Sequence, residues 1–174
     1  MEIKTKQYAQ AIYDIANESG QLNDYLDLAV AIIDAANHND GLLEYLGTAS
    51  VDIEEKKVLI KDITNGYEYF NNWLLILLES GKGRYLRDYI SAFINIYNEE
   101  HDIENGYVWT TEPITQEVVG KFEKVLSEKL DKTIKLENRI NNEIIGGVRL
   151  EVGDNVWDNT IKNKLKQLLK VSFS

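Results

Sequence analysis

The chain has no cysteine, which excludes disulfide frameworks, thiolate metal sites and cysteine nucleophiles together. Its two histidines, His38 and His101, stand far apart in polar surroundings, so no structural zinc is expected. No apolar run approaches the roughly 18 residues of a membrane span, and the opening "MEIKTKQYAQ" lacks the apolar centre of a secretory signal. A soluble, cytoplasmic protein is the expectation. Positive charge is short as well: 19 Lys and Arg against 29 Asp and Glu leave a formal net charge of -10, the wrong sign for a phosphate backbone, whose binding rests on neutralising cations. Catalytic groupings are missing too. The carboxylates lie along helical faces with lysines between them, as on a solvated surface. No serine stands in a nucleophile elbow, and neither histidine has an apolar setting that would tune it. A binding or structural protein without catalytic residue, cofactor or metal follows.

What is present is helical periodicity. At 174 residues and 44% hydrophobic the chain can bury the core of one ordinary domain or two small ones. Tyr8, Ala11, Ile12, Ile15 and Ala16 recur at helical spacing and Gly20 offers a stop. Leu22, Leu26, Ala29, Ile32, Ile33 and Ala36 continue the period, and Leu42, Leu43, Tyr45 and Leu46 form a short third segment. A fourth helix opens at Asp52 and Glu55 with capping-box spacing, and "EYFNNWLLILLES" and "GRYLRDYISAFINIYNEE" supply two more.

After "EEHDIENG", which reads as a linker, the period changes. "YVWTT" is a short strand running into Pro113, and "TQEVVGKFEKVLSEKL" is a helix capped by Thr115 with Val118, Phe122, Val125 and Leu126 on one face. "TIKLENRI" and "VRLEV" alternate as half-buried strands, and Ile161, Leu165, Leu168 and Leu169 make the apolar stripe of a last helix. The expected fold is mostly α: a six-helix bundle over residues 1–103, then a small α+β domain over 104–174.

"IIGGVRLEVGDNVWDNT", residues 144–160, is the most unusual stretch. A phosphate-binding glycine loop leads from a strand into a helix N-terminus, whereas Gly146-Gly147 leads into a strand and no Gly-Lys-Ser/Thr follows. The glycines instead let the backbone bend on entering the sheet, and Gly153-Asp154-Asn155 suits a hairpin turn. Asp154 and Asp158 lack the further ligands of a cation site, and Asp158 or Asn159 serves better as the cap of the last helix. Gly146, Gly147, Gly153, Asp154 and Asp158 are therefore expected to be structural.

Two segments carry more apolar surface than their own domain needs. The first helix is apolar at Tyr8, Ala9, Ala11, Ile12, Tyr13, Ile15 and Ala16, an arc too wide for one neighbour to cover. Trp73 to Leu78 are apolar all round, which fits either the centre of the bundle or one wall of a groove for a partner's amphipathic helix.

"QYAQAIYDIA", "VWTTEPIT" and "IIGGVRLEVGDNVWDNTIKNKLKQL" together resemble the delta subunit of bacterial F-type ATP synthases, whose mitochondrial counterpart is the oligomycin sensitivity conferral protein. The resemblance runs in order along the whole chain and is most specific at Gly146-Gly147, Gly153-Asp154, Asp158, Thr160, Leu165 and Leu168. Two positions depart from that family's pattern: Asn141 stands where an aspartate is usual, and "ESGKGR" at 79–84 is longer than the usual turn. The resemblance implies a non-catalytic stator subunit of the proton-transporting rotary enzyme, peripheral at the cytoplasmic face of the bacterial cell membrane and touching the membrane only through the complex, in one copy. Its helical bundle would grip the N-terminal segments of the alpha subunits, through a groove assigned to Tyr8, Ala11, Ile12, Ile15, Leu74 and Leu78. Its second domain would meet the b subunit of the peripheral stalk, coupling rotation to ATP synthesis or hydrolysis. The last helix has four lysines and no acid from Asn159 to Ser174. Its stripe is expected to dock on the small sheet, with late lysines meeting the negative helix end, or with Lys162, Lys164 and Lys166 facing the b subunit as well. A free-standing helical adaptor is the alternative reading.

Overall fold

The computed structural model describes the backbone of residues 2–38, 41–48 and 50–172 and the side chains of residues 4–38, 41–48 and 50–166. Six α-helices come first: α1 (Glu2–Glu18), α2 (Leu22–His38), α3 (Gly41–Gly47), α4 (Ile53–Thr64), α5 (Glu68–Glu79) and, after a 3-10 turn at Gly83–Tyr85, α6 (Leu86–Glu100). Helix α1 ends at the glycine that punctuates its pattern, where Gly20 N–H donates to the Asn17 carbonyl at 3.2 Å and Gln21 N–H to that of Ala16 at 3.0 Å. These two bonds satisfy carbonyls left open by the last turn. The expected capping box at α4 forms by half. Asp52 accepts from the Glu54 amide at 3.0 Å, but the Glu55 carboxylate accepts from the Tyr45 hydroxyl at 3.0 Å, tying α4 to α3.

The chain divides into two units, Met1–Tyr97 and Asn98–Ser174. Aromatic residues run through the first unit's core: Phe70 lies 5.4 Å from Tyr25 and 6.1 Å from Phe93, both edge-on. Around them pack Ala9, Ile12, Leu74, Leu77, Leu86 and Ile90. Burying each larger aliphatic side chain contributes about 1.5–3 kcal/mol.

The second unit holds β1 (Ile103–Thr110), α7 (Gln116–Leu130), β2 (Thr133–Ile140), β3 (Arg149–Val152), β4 (Asn155–Asp158) and α8 (Ile161–Ser172). Its sheet has the order β2-β1-β3-β4, with β1 and β2 parallel and the other pairs antiparallel. Parallel neighbours need a crossover, which α7 supplies. Val108, Ile134, Leu150 and Val152 of the sheet pack with Val119 and Leu126 of α7. Alternation along the same strands sends Tyr107, Trp109, Glu137, Arg139, Arg149 and Glu151 to the opposite face.

Three expectations are corrected here. "EEHDIENG" is no linker: β1 begins at Ile103, and Gly106, which a linker would leave in solvent, is buried against β3. Helix α7 turns Val119 inward and leaves Val125 exposed, because the sheet lies a third of a turn away from the face that Val125 would share. The stretch Trp73 to Leu78 is not buried on every side: Ile76 is 50% exposed, while Trp73, Leu74, Leu77 and Leu78 are buried.

Candidate partner-binding surfaces

Helix α1 has two apolar faces. Ala9, Ile12, Tyr13 and Ala16 point into the core, and Ile12 is 1% exposed. About a third of a turn round the helix, Lys4, Tyr8, Ala11, Ile15 and Glu18 follow one another at spacings of three and four, so they share a stripe. Tyr8 is half-buried, Ala11 is exposed and Ile15 is 40% exposed.

Helix α5 lies beside this stripe. The Trp73 indole N–H donates to the Tyr8 carbonyl at 2.9 Å, the Tyr8 ring meets Tyr89 edge-on at 5.7 Å, and the Lys82 ammonium sits 5.1 Å from the centre of the Tyr8 ring. Tyr69 and Ile76 stand four before and three after Trp73, on the same flank of α5, and both are exposed. The surface between the two helices is thus apolar, with a fixed backbone beneath it. Of the six residues assigned to the groove, Tyr8, Ala11 and Ile15 lie on this outer surface, whereas Ile12, Leu74 and Leu78 are buried in the core. The sequence reading missed Tyr69 and Ile76. A helical wheel drawn for α5 together with its Trp73 contact would have found them, but that contact is tertiary.

The second surface is α8, which polar groups hold at its start. Thr160 is the cap: its hydroxyl oxygen accepts from the Asn163 amide at 3.2 Å, and its hydroxyl and amide donate to Asp158 Oδ1 at 2.6 and 3.0 Å. The Asn163 side chain donates to the Asp158 carbonyl at 2.8 Å. The two bonds from Thr160 hold the Asp158 carboxyl below the usual carboxylate range, the hydroxyl contributing most. Asp158 therefore orients the cap rather than being it, and Asn159 serves neither role. Its amide donates to the Val148 carbonyl at 3.0 Å.

Gly146 and Gly147 form the seat of that cap. The Gly146 carbonyl accepts from the Ile161 amide at 3.0 Å. Gly147 has φ +89, and a Cβ there would lie 2.5 Å from the Asn159 carbonyl oxygen and 3.0 Å from Thr160 Cα. Both the conformation and the close backbone approach require glycine. At the β3–β4 hairpin the two turn residues are Gly153, with φ +53, and Asp154, in keeping with the sign pattern of a type II′ turn.

The expectation that the α8 stripe docks on the sheet is corrected. Ile161 and Leu165 are about half exposed and belong to no core cluster, because the cap fixes the Asn163 side of the helix, opposite the stripe, towards β4. Lys162, Lys164 and Lys166 are exposed and flank the stripe. The side chains of Leu168, Leu169 and Lys170 lie outside the described residues.

The outer sheet face is a further feature that the reading left unassigned. The Arg139 guanidinium lies 4.0 Å from the centre of the Tyr107 ring, and Trp109 Nε1 donates to Glu151 at 2.7 Å. Among the described residues no cluster of three or more His, Asp or Glu is placed to hold a metal ion, and no helix is long and apolar enough to cross a membrane.

Comparison with known proteins agrees along nearly the full length. The family model described as ATP synthase delta (OSCP) subunit matches residues 5–171. The ATP synthase subunit delta of Mycoplasma mobile is 28% identical, covering 95% of this chain and 93% of that protein. The subunit of the same name from an Exiguobacterium species is 33% identical over 94% and 93%. Among solved structures, a chain in the Toxoplasma gondii mitochondrial ATP synthase hexamer shares the fold with a TM-score of 0.73, at 18% identity and covering 98% of this chain and 97% of that one.

Proposed function

The chain belongs to the ATP synthase delta (OSCP) subunit family, and from that premise we propose that it is a non-catalytic stator subunit holding the catalytic head of an F-type ATP synthase to the peripheral stalk. Rotation of a central shaft drives ATP synthesis only when the head is prevented from turning with it. A link of this kind needs firm contacts at both ends and no reacting group.

The observation that carries the reading is the second apolar face of α1, beside the exposed flank of α5. An apolar strip on an element whose other face is locked in a core suits an amphipathic helix from a partner. In this reading Tyr8, Ala11 and Ile15 touch the N-terminal segment of an alpha subunit, while Ile12, Leu74 and Leu78 hold the floor beneath. At the other end Lys162, Lys164 and Lys166, with Ile161 and Leu165 between them, meet the b subunit. Gly146, Gly147, Gly153, Asp154 and Asp158 keep that helix in place. The protein sits in one copy, peripherally, on the cytoplasmic face of the bacterial cell membrane.

Affinity purification of the tagged chain from native membranes tests this. Recovery of alpha, beta and b subunits in fixed proportion is the expected result. Recovery without them, or with a small-molecule activity, overturns it in favour of a free-standing adaptor or an enzyme.

A further inference from the structure

Asn-Gly occurs twice in the chain, at Asn65-Gly66 and at Asn105-Gly106, and the fold treats the two pairs in opposite ways. An asparagine followed by glycine is open to attack by its own backbone, because the next amide nitrogen can reach the side-chain carbonyl and glycine sets no Cβ in the path. The attack also needs an amide free of hydrogen bonds and room for the chain to turn.

Asn65-Gly66 lies in the turn between α4 and α5. Asn65 has φ +38 and ψ +50, and its amide donates to the Lys61 carbonyl at 3.1 Å, closing the last turn of α4. The Tyr67 amide donates to the Thr64 carbonyl at 3.0 Å. Gly66 stands between these two bonds. Among the described residues its own N–H has no acceptor, and the Asn65 side chain has no partner. Both residues are exposed, Gly66 has φ +95, and a Cβ built on it would meet nothing within 4 Å. The nitrogen is free, and the backbone around it has space to rotate.

Asn105-Gly106 is the same pair held shut. It lies inside β1, opposite Lys135 and Leu136 of β2, and Gly106 also faces Val152 of β3. Gly106 is buried, and a Cβ there would collide with the Glu151 carbonyl oxygen. Paired on both sides, this stretch turns its nitrogen towards the side chain only when the sheet opens.

We propose that Asn65 is a site of spontaneous deamidation, from which Asn105 is protected. The Gly66 nitrogen gives up its proton to solvent base and bonds to the Asn65 side-chain carbonyl carbon, closing a succinimide ring as ammonia leaves. Water then opens the ring at either carbonyl, leaving aspartate or isoaspartate. Aspartate sets a negative charge at the C-terminal end of α4, where the helix dipole is already negative. Isoaspartate also carries the main chain through the side-chain carbon, which lengthens it inside the cap. Both products weaken the turn that holds Tyr67 edge-on to Tyr25, with ring centres 5.6 Å apart. None of this depends on which partner the chain binds.

The full chain, incubated folded in mildly alkaline buffer and in parallel in urea, supplies the test, with peptide mass mapping to read the exchange of side-chain amide for carboxyl at each asparagine. In urea both pairs should convert at similar rates. In the folded chain Asn65 should convert roughly a hundredfold faster than Asn105, or more, since a core strand opens only rarely. Asn65→Gly, which keeps a left-handed backbone and removes the amide, should hold its melting temperature through the folded incubation. That of the unaltered chain should fall by several degrees, the scale of one lost cap in a domain of this size. Equal rates at the two pairs in the folded chain, or an Asn65 that converts in urea but not when folded, overturns the site. Full conversion with an unchanged melt overturns its effect on the turn.

Discussion

Helices α1 and α8 both show apolar residues to solvent, yet they are held in opposite ways. Helix α1 is anchored by apolar burial on one face and displays a second apolar strip on the next. Helix α8 is anchored at its start by hydrogen bonds from Thr160 and Asp158 and by the glycine seat, while Ile161 and Leu165 face outward. The difference teaches where each surface draws its rigidity. On α1 the outer strip is borne by the core beneath it, so it exists before any partner arrives. On α8 a cap contributes only about 1 kcal/mol, so the later turns depend on what covers the stripe.

The largest effect should come from the inward face of α1. Ile12→Asp sets a charge into a site that is 1% exposed, costing several kcal/mol out of a total stability of about 5–15. The helical transition of the first unit should be lost from thermal melts followed by circular dichroism. A native melt would mean that α1 does not carry the core.

Next is the seat of α8. Gly147→Val forces a β-branched residue to φ +89 with its Cβ 2.5 Å from the Asn159 carbonyl oxygen, a strain of about 2–3 kcal/mol. Denaturant titration should show the second unit destabilised by that amount. An unchanged midpoint would show that the seat is not needed.

The outward face of α1 should then separate binding from folding. Ile15→Asp is expected to leave the melt within about 0.5 kcal/mol of the unaltered chain while weakening the alpha-subunit peptide tenfold or more, about 1.4 kcal/mol, by calorimetric titration. Equal loss of stability would erase the distinction between the two faces.

The smaller effects concern the cap and the stripe of α8. Thr160→Ala should cost about 1 kcal/mol, read as faster amide exchange at Asn163 and Lys164, and Thr160→Ser should restore protection. The Asp158 carboxyl is held below its ordinary value in the fold, so its contribution is present above the unfolded carboxylate value near 4. That contribution is lost as pH falls through the lowered folded value. Amide exchange at Asn163 should accelerate only on acidification past that point. Leu165→Asp, on the exposed stripe, should change stability by less than about 0.5 kcal/mol, and a drop of several would restore a docked helix.

Local chemistry made much of this legible in the sequence. The apolar period located all six helices of the first unit, because each hides one face in a shared core. The breadth of the apolar arc on α1 already signalled a second face. The hairpin at Gly153-Asp154 followed from turn chemistry, and the family followed from the order of the motifs. Strand β1 was half missed. Its opening "IEN" and Gly106 carry turn-like residues, and only pairing with β2 and β3 makes them a strand. Sequence also failed to separate Ile12 from Ile15 or Leu74 from Ile76, because side-chain type is the same on both sides of the division.

The sequence by itself determined which segments are helices, that Gly147 and Gly153 sit at special backbone positions, and that one helix carries surplus apolar surface, since propensity, period and turn chemistry act over a few residues. Only the tertiary structure decided which apolar residues remain outside. That depends on where α5 and α6 come to lie against α1, and on a cap at Thr160 that leaves Ile161 and Leu165 of α8 outward. Burial is a property of neighbours distant in the chain, and no local pattern carries it.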